Sequence, residues 1–530
     1  MLTVPRLRSP RRGALGRSLL LAGTAGSALL LTACGTTVPQ GSAAPGSGLG
    51  PSVAAPGQDL PGTGTGTSGG GTLAPTTDSS TSGTSGGSTT SGAAPSATAG
   101  STSGSGGAGP VASAYTSIPP TGPGWDRRVV KVGVTTTKDI STVGNTLGLK
   151  SVNPGDLTRD AQAMVGYLNA HGGLFGRKIQ PEFYDVSTAG NPDSLAQQIC
   201  THFTQDVRVV ALLNITTNGD TENFDACIAK AHLPVLAWIT DTGDKAYFDQ
   251  FHGFYNNMPF PSWSRFARPF VKRLVAQGYF GGWDTTVGGP SKAHAKVGVL
   301  EGDTPAGHSI GKILTKELTA VGYPPDVIYI KSEQDISSSE LKFRSDGVTH
   351  IMGTELLFLF METYESQHYR PRYAVNTSNA PSLFLEGTVP AAQLVGSMGV
   401  GTTPTIDVFA PRDPGPRALP GLALCNAIYR SADVSYPTDQ RYASTNAYGM
   451  CDGFRMVLAA ALQSGGLTGD LIRDGLGEVA GKVPTSLTFS NGLTAADRAL
   501  PGSARDLQFK ADCSCYRYTS ATYSLASVGS

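Results

Sequence analysis

The sequence predicts an α/β protein made of two doubly wound, Rossmann-like lobes behind a disordered linker. Three observations carry this. Strand-like and helix-like periodicities alternate from about residue 128, and the alternation restarts near residue 296. Strand candidates such as 207–213 are apolar almost throughout, as strands covered on both faces of a parallel sheet are. Between Gly35 and Trp125 there is no Lys or Arg, and Asp59 and Asp78 are the only acids. The rest of that stretch is nearly all Gly, Ser, Thr, Pro and Ala, too poor in apolar groups to offset the entropy of ordering.

The division reads as 1–33 signal peptide, 34–125 tether and 126–530 globular body. A body of some 405 residues is long enough for two sizeable cores. In the head, Arg6, Arg8, Arg11, Arg12 and Arg17 precede an apolar run, 18–31. That run is too short to span a membrane but suits an export signal. It ends in Leu31-Thr32-Ala33-Cys34-Gly35, which looks like a lipobox, so Cys34 is the expected lipidation site. Arg11-Arg12 leaves the export route open between the general and the twin-arginine pathways. The expected address is the extracytoplasmic face of the cell membrane, held by lipid alone. A Gly/Ser-rich coil of this length spans ~50 Å, enough to hold a domain clear of a membrane surface. Its Ser/Thr/Pro content also suits O-glycosylation.

The formal net charge of the chain is zero; without the five leading arginines it is 35 basic against 40 acidic residues, or −5. No basic cluster marks the body, which argues against a nucleic-acid partner. Beyond Cys34 six cysteines remain: Cys200, Cys227, Cys425, Cys451, Cys513 and Cys515. An even number in an exported chain argues for disulfides, although six cysteines allow 15 pairings. Local spacing suggests Cys200–Cys227, Cys425–Cys451 and Cys513–Cys515. The last pair lacks zinc-ligand spacing, and no nearby pair completes four ligands, so neither metal nor cofactor is expected.

The elements follow in order. Residues 129–134 are a β-rich run; Ala161, Met164, Val165 and Leu168 then recur at helical spacing until Gly172-Gly173 stops the helix. Residues 179–184 are a second strand. Asn191-Pro192 opens a helix as N-cap and first helical residue. A third strand covers 207–213, a helix surrounds Cys227, and 234–239 is a fourth strand. The second series has strands at 296–300, 327–330, 349–352 and 373–375, with helices at about 308–321 and 355–367. Gly396-Ser397-Met398-Gly399-Val400-Gly401 has neither Walker nor Rossmann spacing and reads as a bend. The stripe Ala447, Met450, Cys451, Phe454, Val457, Leu458 and Ala461 reads as the buried face of a long helix.

One motif points to catalysis. Gly307-His308-Ser309-Ile310-Gly311 matches the G-x-S-x-G nucleophile elbow, which would make Ser309 the nucleophile of a secreted hydrolase. The elbow needs a strand running straight into it, yet 301–306 intervene after the strand, so a loop opening a helix is the better reading and no enzyme is expected. The binding reading rests on the lobes. In open α/β sheets ligands sit beyond the carboxyl ends of the strands. The loop after the third strand, Asn214-Ile215-Thr216-Thr217-Asn218-Gly219-Asp220, gathers hydroxyls, amides and a helix start suited to a carboxylate or another polar group.

A family resemblance joins these features. Leu168-Asn169-Ala170-His171-Gly172-Gly173-Leu174-Phe175-Gly176-Arg177-Lys178-Ile179, followed by Asp185, is similar to a helix-end motif of the type I solute-binding proteins of branched-chain amino-acid ABC transporters, the leucine-binding-protein family. Ala231 to Leu236, Val297 to Leu300 with Asp303 and Gly307, and Ala447-Tyr448 resemble it in the same order. The resemblance spans about 129–515. It implies two lobes joined by three crossovers, near 246–256, 394–402 and 484–492. Lobe one would be about 128–250 and 400–485, and lobe two about 251–399 and 486–530. It implies a small-molecule solute bound between the lobes, a permease partner and a monomer. Solute-binding positions fall on Thr216, Thr217, Asn218 and Thr240 in lobe one, and on Thr304 and Thr377 in lobe two. The family's aromatic is replaced by Thr304-Pro305-Ala306, and its ammonium-binding acid by Asn376-Thr377-Ser378, with Glu355 as a substitute. The expected solute is therefore a small polar molecule held by hydrogen bonds, with an amino acid as the alternative, since the missing acid argues against a zwitterion held in the family's usual way. A ligand-sensing or structural envelope lipoprotein is the rival outside transport.

Overall fold

The computed structural model describes residues 118–530 except 138, 147–148, 150–151, 216–218, 220, 238–242, 355–356, 387–388, 409–418 and 435–440. The expected signal peptide, Cys34 and the tether up to 117 lie outside the described residues. The tether was expected to reach 125, and residues 118–125 of that stretch are among those described. Trp125 is buried in the first core, bridges to Val130, and donates from its indole Nε1 to the Pro119 carbonyl at 3.1 Å.

The first sheet contains β1 (Val129–Thr136), β2 (Lys178–Asp185), β3 (Leu212–Asn214), β4 (Val235–Ala237) and β5 (Tyr255–Asn257), all parallel, in the order β2-β1-β3-β4-β5. Helices Leu157–Ala170, Leu422–Ser431, Arg441–Ser464 and Gly469–Leu476 cover one face. Helices Pro192–Thr201, Glu222–Lys230 and Lys245–Gln250 cover the other. The Asn-x-x-Gly-Gly motif has a mechanical reason. Asn169 ends its helix by bonding β2 from both ends of its amide: Nδ2 donates to the Ile179 carbonyl at 3.0 Å, and Oδ1 accepts from the Ile179 N–H at 2.7 Å. Gly173 then turns the chain at φ +64°, where a Cβ would lie 2.0 Å from the Arg177 carbonyl.

A small hairpin of β6 (Trp283–Asp284) and β7 (Gly289–Pro290) precedes the second sheet. That sheet holds β8 (Val297–Gly302), β9 (Asp326–Ile330), β10 (His350–Gly353), β11 (Arg372–Asn376) and β12 (Met398–Gly401), parallel in the order β9-β8-β10-β11-β12. The order repeats that of the first sheet, so both halves reverse strand order between their first and third strands. Antiparallel β13 (Ser503–Lys510), β14 (Cys515–Tyr518) and β15 (Tyr523–Ser524) extend the β12 edge. Helices Trp263–Ala276 and Pro305–Ala320 cover one face, and Glu333–Ser345 and Phe358–Ser366 the other.

Several expectations are corrected. The Gly-rich segment read as a bend is the strand β12. A Cβ on Gly399 would stand 1.6 Å from the Val375 carbonyl, so glycine permits the close approach to β11. The third strand is only Leu212–Asn214, because Val207 and Val209 still close the preceding helical turn onto His202 and Phe203. The helix expected from 308 begins at Pro305, capped by Thr304. All three crossovers also lie later than the expected positions. β5 still pairs in the first sheet, so the first passage is 258–262. Leu487, Leu493 and Leu500 pack in the first core, so the third is 501–502. The second leaves after Val408, and 409–418 lie outside the described residues.

Hydrogen bonds tie these passages together. Thr403 Oγ1 donates to the Pro259 carbonyl at 2.7 Å, Asn257 N to the Arg498 carbonyl at 2.8 Å, and Ser262 Oγ to Asp497 at 2.6 Å. Three disulfides are present: Cys200–Cys227, Cys425–Cys451 and Cys513–Cys515. The first joins helix Pro192–Thr201 to helix Glu222–Lys230, and the second joins helix Leu422–Ser431 to helix Arg441–Ser464. Cys425, Cys451 and the adjacent Asp452 cluster, but with both sulfurs oxidised no thiolate is left for a metal. No helix among the described residues is long and apolar enough to cross a membrane.

Candidate functional site

The repeated strand order fixes where a ligand can enter. The helices after the first and third strands of a doubly wound sheet turn away to opposite faces, which leaves a crevice at the carboxyl ends between those strands. In the first half that crevice lies between β1 and β3, in the second between β8 and β10. Each is bridged by a polar pair. Thr135 Oγ1 donates to Asn214 Oδ1 at 2.9 Å and accepts from the Ile215 N–H at 2.7 Å. In the second half Thr354 Oγ1 donates to Glu301 Oε2, and Glu301 is fully buried.

Asn214 is the more telling of these groups. Its side chain is fully buried and its Oδ1 is occupied, but Nδ2 meets no acceptor among the described residues. A buried amide N–H without a partner costs about 1–3 kcal/mol, so an acceptor brought to this crevice is stabilising. Asn214 stands at the threshold of the loop that the sequence singled out. Nearby, Asp139 accepts from the Thr188 N–H at 3.0 Å and from Ser187 Oγ at 2.8 Å. Those donors, set against partial burial, hold its carboxyl below the usual range and pin the loop after β2.

The expected solute-binding residues divide in two. Thr216, Thr217, Asn218, Thr240 and Glu355 lie outside the described residues. Thr304 and Thr377 are described. Thr304 Oγ1 accepts from the Gly307 N–H at 3.0 Å as the N-cap of helix Pro305–Ala320. Thr377 is buried; its Oγ1 accepts from the Thr402 N–H at 2.8 Å and lies 2.9 Å from Thr402 Oγ1. Both hydroxyls therefore already have structural partners.

Sequence reasoning passed over Asp407, which ends the short helix Pro404–Asp407 just before the second passage. It accepts from Tyr518 OH at 2.6 Å and from the Thr403 N–H at 2.9 Å. Burial pushes its carboxyl up to about 7 in spite of those donors. Its signal in the sequence was only an acid close after a Gly-rich segment.

Ser309 has the surroundings of a helix residue. The strand ends at Gly302, Ser309 is the fifth residue of its helix, and its Oγ donates to Asp244 Oδ2 at 2.6 Å. His308 turns instead to Asp303, 2.8 Å away, and stacks on Tyr329. Among the described residues no histidine nitrogen is within hydrogen-bond reach of Ser309, so the base that an activated serine needs is not in place there.

The profile of the periplasmic binding protein family matches residues 151–512, and the chain belongs to that family. The fold is the type I form. It is similar to a branched chain amino acid ABC transporter protein from Thermus thermophilus with bound valine, at TM-score 0.51 and 13% identity over 75% of this chain and 96% of that one. A fatty acid ABC transporter substrate-binding protein from Thermomonospora curvata gives TM-score 0.51 and 15% identity over 77% and 96%. A solute binding protein from Rhodopseudomonas palustris in complex with 3,4-dihydroxy benzoic acid gives 0.50 and 13% over 75% and 98%. No curated protein matches.

Proposed function

We propose that this chain is an extracytoplasmic receptor for a small polar solute, anchored by lipid at Cys34 and delivering the solute to an ABC importer. The observation that carries the reading is the pair of matched crevices, one at the carboxyl end of each sheet, with the Asn214 Nδ2, which meets no acceptor among the described residues, in one of them. Family membership supports a binding role over catalysis. The similar structures hold valine or 3,4-dihydroxy benzoic acid, or are named for fatty acids, so this fold does not fix the ligand. What favours a neutral or hydrogen-bonding solute is the set of amides and hydroxyls Asn214, Thr216, Thr217, Asn218 and Thr240. The lobe-two contacts assigned by resemblance, Thr304, Glu355 and Thr377, are part of the same proposal.

The test is a melting-shift screen across amino acids, amides, carboxylates and polyols, followed by titration of the hit. A Thr216→Ala/Thr217→Ala variant should lose affinity for that hit; full retention would place the site on another loop. Anchoring is tested separately. Cys34→Ala should release the protein from membranes or leave an unprocessed precursor, and retention of a correctly cleaved form would overturn it.

A further inference from the structure

The three disulfides differ in kind. Cys200–Cys227 and Cys425–Cys451 each join two helices, across sequence separations of 27 and 26. Cys200, Cys425 and Cys451 are fully buried, and Cys227 packs against the same core as Cys200. Cys513–Cys515 has a separation of 2 and closes the turn 511–514 between β13 and β14. Asp512 and Ser514 in that turn are exposed, Cys513 is half-buried, and Cys515 opens β14 fully buried.

The hairpin does not depend on this bond. β13 and β14 pair through four residues each, from Leu507 opposite Tyr518 to Lys510 opposite Cys515. Side chains anchor β14 as well: Tyr516 OH lies 2.9 Å from Ser397 Oγ, and Tyr518 OH donates to Asp407 at 2.6 Å. In the chain-entropy account a disulfide stabilises more the longer the loop it closes, and a single intervening residue makes this the shortest loop of the three. The bond is also made at a cost. It holds Ser514 at φ +47°, in the left-handed region that a residue with a β-carbon disfavours.

We propose that Cys513–Cys515 is a thiol–disulfide exchange site for low-molecular-weight thiols, while the other two disulfides are structural. Strained or exposed disulfides are the ones that exchange. An external thiolate attacks the sulfur of Cys513, the more exposed of the two. The S–S bond breaks, and Cys515 leaves as a thiolate and takes a proton. A second external thiolate attacks the external sulfur of the mixed disulfide, and Cys513 leaves and takes a proton in turn. Two external thiols are thereby oxidised to a disulfide, and the protein's pair is reduced by two electrons. Only the turn has to relax, so the strand pairing survives reduction. The proposal is independent of the receptor reading.

The experiment equilibrates the folded protein with buffers of reduced and oxidised glutathione, alkylates the free thiols and locates them by peptide mass spectrometry. Cys513 and Cys515 should open together, with an exchange constant at least about tenfold larger than that of either other pair, while the circular-dichroism spectrum stays native. Opening of all three pairs in the same buffers, or of Cys513–Cys515 only once the protein unfolds, would overturn the proposal. Cys515→Ser leaves Cys513 without its partner sulfur, and in the folded variant Cys513 should hold one glutathione as a mixed disulfide; no adduct would also overturn it. Ser514→Gly should relieve the left-handed turn and lower the exchange constant by about 5- to 30-fold relative to Ser514→Ala, which keeps the β-carbon. Equal constants in the two variants would overturn the role given to Ser514.

Discussion

At the scale of single residues, the buried carboxyl of Asp407 makes stability depend on pH. Its folded-state value is about 7 against an unfolded 3.8, so the folded protein keeps the proton more tightly. In that window the unfolded chain binds fewer protons, and stability falls as pH rises from about 4 toward 7. Asp407→Asn should flatten this decline, read as the melting temperature of both proteins across pH 4 to 8. A wild-type slope that persists in the variant would remove Asp407 as its source. Thr304 offers a simpler case. Thr304→Ala removes the N-cap of helix Pro305–Ala320 and should cost about 1 kcal/mol in chemical denaturation. Thr304 also shows, with Thr377, what one-dimensional reading misses. Thr304 and Thr377 have hydroxyls of the right kind in the right loops, but whether a hydroxyl is free depends on neighbours such as the Gly307 N–H and Thr402. Asn214 acquires its meaning from Thr135, 79 residues earlier in the chain.

At the scale of elements, legibility followed apolar periodicity. The long helix Arg441–Ser464 and strands β1, β8 and β10 announce themselves because their buried faces are continuous. β5 is Tyr-Asn-Asn and β12 is Met-Gly-Val-Gly; neither has a strand's pattern, and both exist because a sheet edge was there to pair with. Likewise β13 to β15 form by antiparallel addition to β12, a partnership that no local signal encodes. The disulfide Cys425–Cys451 acts at this scale as well. It closes a loop between two helices that pack in the first core, across a sequence separation of 26. In the chain-entropy account such a loop contributes about 3–4 kcal/mol. Cys425→Ala/Cys451→Ala should lower unfolding stability by that order while the far-ultraviolet spectrum stays native. A loss near zero would mean that the helices are held by packing alone.

At the scale of the whole molecule, two sheets with one strand order face a shared cleft, and bonds among Asn257, Ser262, Arg498 and Thr403 tie the connecting segments into one unit. Two lobes and their order were readable in the sequence because β-α alternation restarts after a break. The passage points were misplaced because leucines 487, 493 and 500 extend the first core beyond the long helix. In the proposed receptor reading, closure over a solute would be a motion of two prebuilt halves, and binding energy would enter through groups such as Asn214, whose Nδ2 meets no acceptor among the described residues. Asn214→Ala should therefore weaken binding of the eventual solute by roughly 5- to 30-fold, the equivalent of one hydrogen bond of about 1–2 kcal/mol, and should also lower the unliganded melting temperature, because the buried Thr135 hydroxyl loses its acceptor. The most direct test of the central claim is a melting-temperature screen of the purified body against small polar solutes at graded concentrations. A receptor predicts that at least one solute raises stability as RT ln(1 + [L]/Kd), reaching ~2.7 kcal/mol at a hundred times Kd. A flat response to every amino acid, amide, carboxylate and polyol, from a protein that melts cooperatively, would contradict it.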